Sequence, residues 1–342
     1  MDADALRSLR LHAHLLAAPA AAPTDVARRL VAVQAQDFAA GRWALGIRTT
    51  GDLTVDEVDR VFTDGHLVRA WTQRGTLHIV EPATAAMILA VTGERQLRAY
   101  GIDAAVLDRG ERVFRSALED EGSLTRTVFV EALQREGIAG SVPAGSRILT
   151  ALSLRGVVAL GPVVPREQGV TREQYLVPLP PAAPTGDDPA VDLLLAYLRG
   201  HGPASSADFA WWAGLPAGAS RAVAERAADR VERTDDGLLM LPSSGQATTD
   251  AGTIALPAFD EYVLSYADRS LAMGAGDRTT IGPTANGMVR PVIVRRGVAV
   301  GTWSLSLAAG SSVIPTATLF EGESDAGVTA ALTRVRCFFG GA

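Results

Sequence analysis

Two glutamines separated by one small residue, Gln34-Ala35-Gln36, are the side chains in this sequence whose type and spacing could do chemistry. Each amide offers a carbonyl oxygen that accepts and an NH2 that donates, and being neutral it needs no tuned pKa. Such a pair can hold a water against an electron-poor carbon. It supplies no acid, so it suits a reaction whose leaving group already carries positive charge and departs unaided. Asp37 is a rival general base, since a carboxylate activates water better than an amide; a capping or structural role is the preferred reading.

The second informative segment is Leu67-Val-Arg-Ala-Trp-Thr-Gln-Arg-Gly-Thr-Leu-His-Ile-Val80, two apolar runs around a Gln73-Arg74-Gly75 turn. Arg69 and Arg74 flank Trp71, a combination able to grip phosphate and stack on a base. Between apolar neighbours, however, Trp71 reads first as core, and a lone His78 at a strand position reads first as packing. Elsewhere, Trp211 and Trp212 are adjacent, so at most one of them can face outward. The polar, glycine-rich stretch 274–287 reads as a loop, either one that probes a ligand or a plain connection.

The remaining composition narrows the chemistry. The single cysteine, Cys337, excludes an internal disulfide or a cysteine zinc cluster, and the five histidines lack zinc-peptidase spacing, so neither metal nor cofactor is expected. All 32 basic residues are arginine, which leaves no side-chain amine to form a Schiff base. A net charge of −6 argues against a protein wrapped wholly around nucleic acid. It leaves room for a local basic channel, because arginines such as Arg69, Arg74, Arg95, Arg98, Arg109 and Arg112 concentrate in the first third. With 47% hydrophobic residues the chain should fold throughout. No uninterrupted apolar run reaches membrane-spanning length, and the acidic start Met1-Asp-Ala-Asp4 is unlike a secretory signal, so the expected place is cytoplasmic.

The elements that must position these residues repeat one theme three times: helices followed by an apolar hairpin. The first copy reads as helices over 4–16, 25–38 and 54–63, then the 67–80 hairpin. Thr54-Val-Asp-Glu57 supplies a good helix start. On a regular helix, residues i and i+2 point about 200° apart, so the glutamine pair is expected at a helix end or in a bend. The second copy reads as helices over 83–91, 108–119, 123–133 and 146–154 with strands 157–164 and 174–179. The third reads as a helix over 190–199, a turn, helix and glycine stop within 202–215 and a helix over 219–231, with a hairpin across Asp235-Asp236-Gly237. Proline-rich 178–189 and polar 243–252 read as linkers. Beyond them strand patterns at 289–295, 298–307 and 313–317 precede a helix at 326–334. The expected fold class is α+β: tandem winged-helix (helix-turn-helix) units at 1–82, 83–185 and 186–246, then a C-terminal β-barrel-like domain at 253–342.

Taken together, Gln34-Ala35-Gln36, Arg69-Ala-Trp-Thr-Gln-Arg-Gly-Thr-Leu-His78, Gly202-Pro-Ala-Ser-Ser-Ala-Asp-Phe-Ala-Trp-Trp-Ala-Gly-Leu215, Leu256-Pro-Ala-Phe-Asp-Glu-Tyr262 with Asp268-Arg269, and Val298-Ala-Val-Gly-Thr-Trp303 resemble the AlkZ/YcaQ family of bacterial winged-helix DNA glycosylases. The resemblance spans nearly the whole chain. It implies a C-shaped arrangement around DNA and excision of bulky alkylated bases, interstrand crosslinks included. It places Gln34 and Gln36 in the catalytic positions, in the Gln-x-Gln form of the AlkZ branch. Arg69, Trp71, Arg74, Thr76, His78, Arg269 and Arg278 are the candidate DNA contacts, with Asp260 and Arg269 expected to form an ion pair near the DNA-facing surface. The partner is double-stranded DNA carrying alkylated bases or crosslinks, bound by a monomer. The expected activity is monofunctional hydrolysis at cationic N7-alkylguanine and N3-alkyladenine; the alternative is a non-catalytic winged-helix DNA-binding or regulatory protein.

Overall fold

The computed structural model describes residues 1–167, 169–181, 186–242, 251–274, 278–284, 287–307 and 313–340. The first stretch contains α1 (Ala3–Ala13), α2 (Pro23–Leu30), β1 (Val33–Gln34), α3 (Phe38–Gly46), α4 (Val55–Thr63), β2 (Val68–Trp71) and β3 (Leu77–Val80). It is followed by α5 (Pro82–Tyr100), α6 (Ala104–Glu121), β4 (Leu124–Thr125), α7 (Arg126–Arg135), α8 (Val142–Leu154), β5 (Val158–Val163) and β6 (Gln174–Pro178). Then come α9 (Pro189–His201), α10 (Ser206–Ala213), α11 (Ala217–Arg226), β7 (Glu232–Arg233) and β8 (Leu239–Met240). The last part holds β9 (Thr253–Leu256), α12 (Glu261–Leu264), α13 (Ser270–Met273), α14 (Arg278–Ile281), β10 (Val292–Arg295), β11 (Val298–Ser304), β12 (Thr316–Leu319) and α15 (Val328–Gly340). The linker sequences 178–189 and 243–252 and the loop 274–287 lie partly outside the described residues.

Local signals explain most boundaries. The expected capping box at α4 is present: the Thr54 side chain accepts from the backbone of Glu57, whose carboxylate takes the Thr54 N–H at 2.7 Å. At α10 Ser205 and Asp208 form a second box, and Gly214 stops the helix at φ 67°.

The helix expected over 25–38 is shorter, and the reason is local. After α2 the Ala32 N–H bonds the Leu30 carbonyl at 2.7 Å across Val31, which sits at φ 67° and ψ −49°. That is a γ-turn of the rare, strained sense, unusual for a β-branched residue. It turns the chain out of the helix and into β1. The glutamine motif therefore starts on a strand, while Asp37 caps the next helix by accepting from Ala40 N–H at 3.2 Å.

β1 is the edge of a six-stranded sheet in the order β1-β3-β2-β5-β6-β4. The hairpins β2–β3 and β5–β6 are thus fused, with Arg69 opposite Leu160 at the seam. Hairpin β2–β3 also lies where three hydrophobic cores meet. Ile79 belongs to a core that joins Phe38, Trp43 and Phe62 to Trp303 and Phe338 of the C-terminal region. Val68, Ala70 and Val80 belong to one with α9 and α10, and Trp71 and Leu77 to one with α6, α7 and α8. Any residue on this hairpin is therefore held from several sides. The C-terminal strands form an open antiparallel sheet, β12-β11-β10-β9, and no closed barrel exists among the described residues. The fold is mixed α and β.

Candidate active site

β1 pairs antiparallel with β3, setting Val33 opposite Ile79 and Gln34 opposite His78. The ladder continues one step, with Ala35 N–H on Leu77 O at 2.8 Å, and then breaks. The Ala35 carbonyl is taken by Arg69 Nε at 2.9 Å, and the Leu77 N–H that would have used it donates to Gln36 Oε1 at 3.3 Å. The Gln36 amide so replaces a backbone carbonyl in the sheet. Close packing fixes the middle residue: a Cβ added to Gly41 on α3 would stand 2.6 Å from Ala35 Cβ.

Arg69 is buried, so it supports the motif from beneath. Its Nη1 donates to Gln174 Oε1 at 3.1 Å and its guanidinium lies 4.9 Å from the Phe38 ring. Burial, helped by neighbouring Arg42, lowers its pKa to about 10, leaving it charged at neutral pH. Trp71, also buried, packs in the α6–α8 core. Both line a cavity of about 320 Å3 with Gln36, Arg126, Ser146 and Arg147. Gln36 is exposed at its rim.

Gln34 occupies different surroundings, buried on the His78 side of the sheet. Its backbone N–H donates to Glu261 Oε1 at 2.9 Å, while its own Oε1 finds no hydrogen-bond partner among the described residues. Glu261 is 1% exposed; its other oxygen accepts from Ser265 Oγ, and His201 Nε2 stands 3.8 Å away. Burial alone would raise the Glu261 pKa, but His201, then His78 and Arg74, outweigh it and hold the carboxyl at about 2. His78 is fully buried with Nδ1 2.9 Å from Thr72 Oγ1, and burial together with Arg74 lowers its pKa to about 3, so it is neutral. Arg74, at φ 58° in the turn, donates to Trp212 O at 2.6 Å and places Nη2 3.5 Å from His78 Nε2. Thr76 closes the same turn through Gln73 O at 3.4 Å.

The structure therefore gathers Gln34, Arg74 and His78 around Glu261, and Gln36, Arg69 and Trp71 around the cavity. The expected Asp260–Arg269 ion pair is absent. Asp260 instead forms a bidentate, fully buried pair with Arg48 at 2.7 and 2.8 Å, an arrangement that satisfies a charge in the interior. Arg269 lies 5.1 Å over the ring of Trp211, which is 44% exposed, whereas Trp212 is fully buried. Arg278 opens the short helix α14, and its side chain lies outside the described residues.

A family model described as DNA glycosylase AlkZ-like matches residues 27–338. The chain belongs to the AlkZ-like DNA glycosylases. It is 27% identical over 324 residues to the interstrand DNA cross-link repair glycosylase of Streptomyces sahachiroi, with 82% of each chain covered. The solved structure of Streptomyces sahachiroi DNA glycosylase AlkZ superposes with a TM-score of 0.79 at 22% identity, covering 99% of this chain and 97% of that one. No helix among the described residues is long and apolar enough to cross a membrane.

Within this AlkZ-like glycosylase the residue that sequence reasoning passed over is Glu261. Its segment, Leu256–Leu264, reads as a fold marker, yet two adjacent acids inside an otherwise apolar run are a signal in themselves: buried carboxylates must find partners. One found Arg48. The other found the motif strand.

Proposed function

We propose that this glycosylase hydrolyses the N-glycosidic bond of cationic alkylated purines, N7-alkylguanine and N3-alkyladenine, in double-stranded DNA, and that it unhooks interstrand crosslinks. The observation that carries this reading is the fixed Gln34-Ala35-Gln36 strand end, held by Arg69 on one side and Glu261 on the other, with the Gln36 amide exposed at an arginine-lined cavity. An alkylated purine leaves with the electron pair of the C1′–N bond, which cancels its positive charge, so no general acid is required. Water oxygen bonds to C1′ and its proton passes to solvent. Gln36 faces that water and the oxocarbenium-like sugar from the cavity rim, and Gln34 Oε1, buried and without a hydrogen-bond partner among the described residues, has its acceptor capacity free for the same water.

A base tethered to the opposite strand cannot be drawn fully into a closed pocket. Gln36 at an open rim suits excision without deep extrusion, and the Streptomyces sahachiroi relative named for cross-link repair supports the same substrate class. In this reading the repeats are winged-helix units at 1–82, 83–185 and 186–246 ahead of a barrel-like domain at 253–342. Arg74, Thr76, Arg269 and Arg278 lie along the DNA path, and a cytoplasmic monomer acts on nucleoid DNA. The test is release of free base from duplexes carrying 7-methylguanine, scored as alkali-labile abasic sites. An unmodified and uncut duplex after long incubation with enzyme in excess would overturn the proposal.

A further inference from the structure

The cavity beside Gln36 has an unbalanced charge. Three arginines line it, Arg69, Arg126 and Arg147, and no carboxylate does among the described residues. That is unusual in a chain of net charge −6 whose arginines elsewhere commonly meet acids, as Arg28, Arg42, Arg48, Arg155 and Arg226 do. Two further cavities among the described residues are mixed: one of about 500 Å3 sets Arg109, Arg112 and Arg135 against Asp120, Glu121 and Glu136, and one of about 280 Å3 sets Arg60 and Arg166 against Asp56 and Asp59.

The partners of the three cations sharpen the point. Arg69 spends Nε and Nη1 on neutral acceptors, and among the described residues the Arg147 side chain bonds only the Tyr100 carbonyl, at 3.0 Å. Arg126 is exposed and makes no hydrogen bond or ion pair among the described residues. It also stands at the first position of α7, after the Thr125 cap, where a cation opposes the helix dipole. Folding of α7 gives no reason for an arginine there. From α8 the same cavity receives Ser146 and Arg147, neighbours at the start of the second turn.

We propose that this cavity is a phosphodiester seat: Arg126 and Arg147, with the Ser146 hydroxyl, receive one backbone phosphate of the damaged strand, and so fix how far the lesion's sugar stands from Gln36. The inference rests on the glycosylase reading for the identity of the strand. A phosphate oxygen matches the fork of a guanidinium, and contact to the backbone positions a duplex without reading its sequence. At about 320 Å3 the cavity is at the small end of the roughly 300–1,000 Å3 that small ligands occupy, room for a phosphate and its sugar rather than a stretch of duplex. The second repeat thus grips the strand that the first repeat acts on.

The test uses the full chain and duplexes with a tetrahydrofuran abasic analogue, neutralised one phosphate at a time by methylphosphonate. Neutralising a single position near the analogue should weaken wild-type binding about 10-fold, the loss expected of one charge-assisted contact. Arg126→Ala and Arg147→Ala should each lose a similar factor on ordinary duplex, lower the log–log salt slope by about 0.9, and lose nothing further on the neutralised duplex. Inorganic phosphate at matched ionic strength should not displace DNA from wild type more than sulfate does; strong, specific competition would assign the cavity to free phosphate and overturn the proposal. So would wild-type affinity and slope in both variants, or losses that multiply at every methylphosphonate position. Base release from 7-methylguanine duplex is measured in parallel. Absent release with the phosphate result intact removes the glycosylase reading and leaves the seat, and normal release with no phosphate effect does the reverse.

Discussion

Removing Glu261 separates positioning from charge at the motif. Its carboxylate accepts from the Gln34 N–H at 2.9 Å and from the Ser265 hydroxyl, both buried. Glu261→Ala leaves these two donors unsatisfied at about 1–3 kcal/mol each, a loss of about 2–6 kcal/mol against a total stability of about 5–15 kcal/mol. Glu261→Gln keeps an oxygen for the Gln34 N–H, and the Ser265 hydroxyl can turn to accept from the new amide, so most of that loss is recovered. If Glu261 acts by fixing the Gln34 backbone, single-turnover excision should fall about tenfold in the alanine variant and recover most of the way in the glutamine variant. DNA affinity should hold in both, because a residue 1% exposed does not touch the duplex. Urea unfolding and rapid-quench excision on 7-methylguanine duplex are the two measurements. Equal loss of rate in both variants would show that the negative charge, not the hydrogen bond, is what matters; wild-type rate and midpoint in the alanine variant would refute the positioning role outright.

Gly41→Ala should lower stability by about 1–3 kcal/mol in urea melts. On helix propensity alone the same change would stabilise by up to about 1 kcal/mol, so a gain would mean that Ala35, 2.6 Å from the new Cβ, is free to move. Acid should destabilise the fold in two windows. His78 has its pKa depressed to about 3, so the unfolded chain binds its proton first and stability falls as pH drops from about 6.5 towards 3. Glu261, held at about 2, adds stability that is present above about 4.5 and lost between there and 2. Replacing His78 by a neutral isostere should reduce the slope of the upper window in pH-dependent melts without abolishing it, because burial also lowers the pKa of His14, which contributes over the same range. Excised DNA should run full length until treated with hot alkali, and borohydride should trap no protein–DNA adduct, because a chain without lysine has no side-chain amine to attack C1′.

Much of the fold was legible where signals are local. Thr54-Val-Asp-Glu57 announced α4, Gly214 announced the end of α10, and the 67–80 hairpin showed as two apolar runs about a turn. Asp37 was readable as a cap, though of the helix that follows it. What escaped depends on partners far away in sequence. The pattern over 25–38 continues as though helical, and nothing in Val31 itself announces a γ-turn; the chain leaves the helix because β3 and Glu261 wait to pair with what comes next. The fusion of two hairpins through Arg69 and Leu160 is a sheet-level event with no motif of its own. Asp260 and Arg269, close in sequence, invited a pairing that the distant Arg48 took instead. Of the candidate site, the glutamine pair is proposed from its spacing and from resemblance, and its support from Arg69 and Glu261 shows only in the three-dimensional packing.

The central claim is that the two motif amides carry the chemistry, and it is tested most directly by the Gln34→Ala, Gln36→Ala double variant. Single-turnover excision of 7-methylguanine, with duplex affinity measured alongside, should show base release roughly 10- to 1,000-fold slower than wild type and binding nearly unchanged, the cost of removing polar groups that act in the transition state. Release at the wild-type rate by a folded double variant would contradict the account and hand the water to Asp37 or another group.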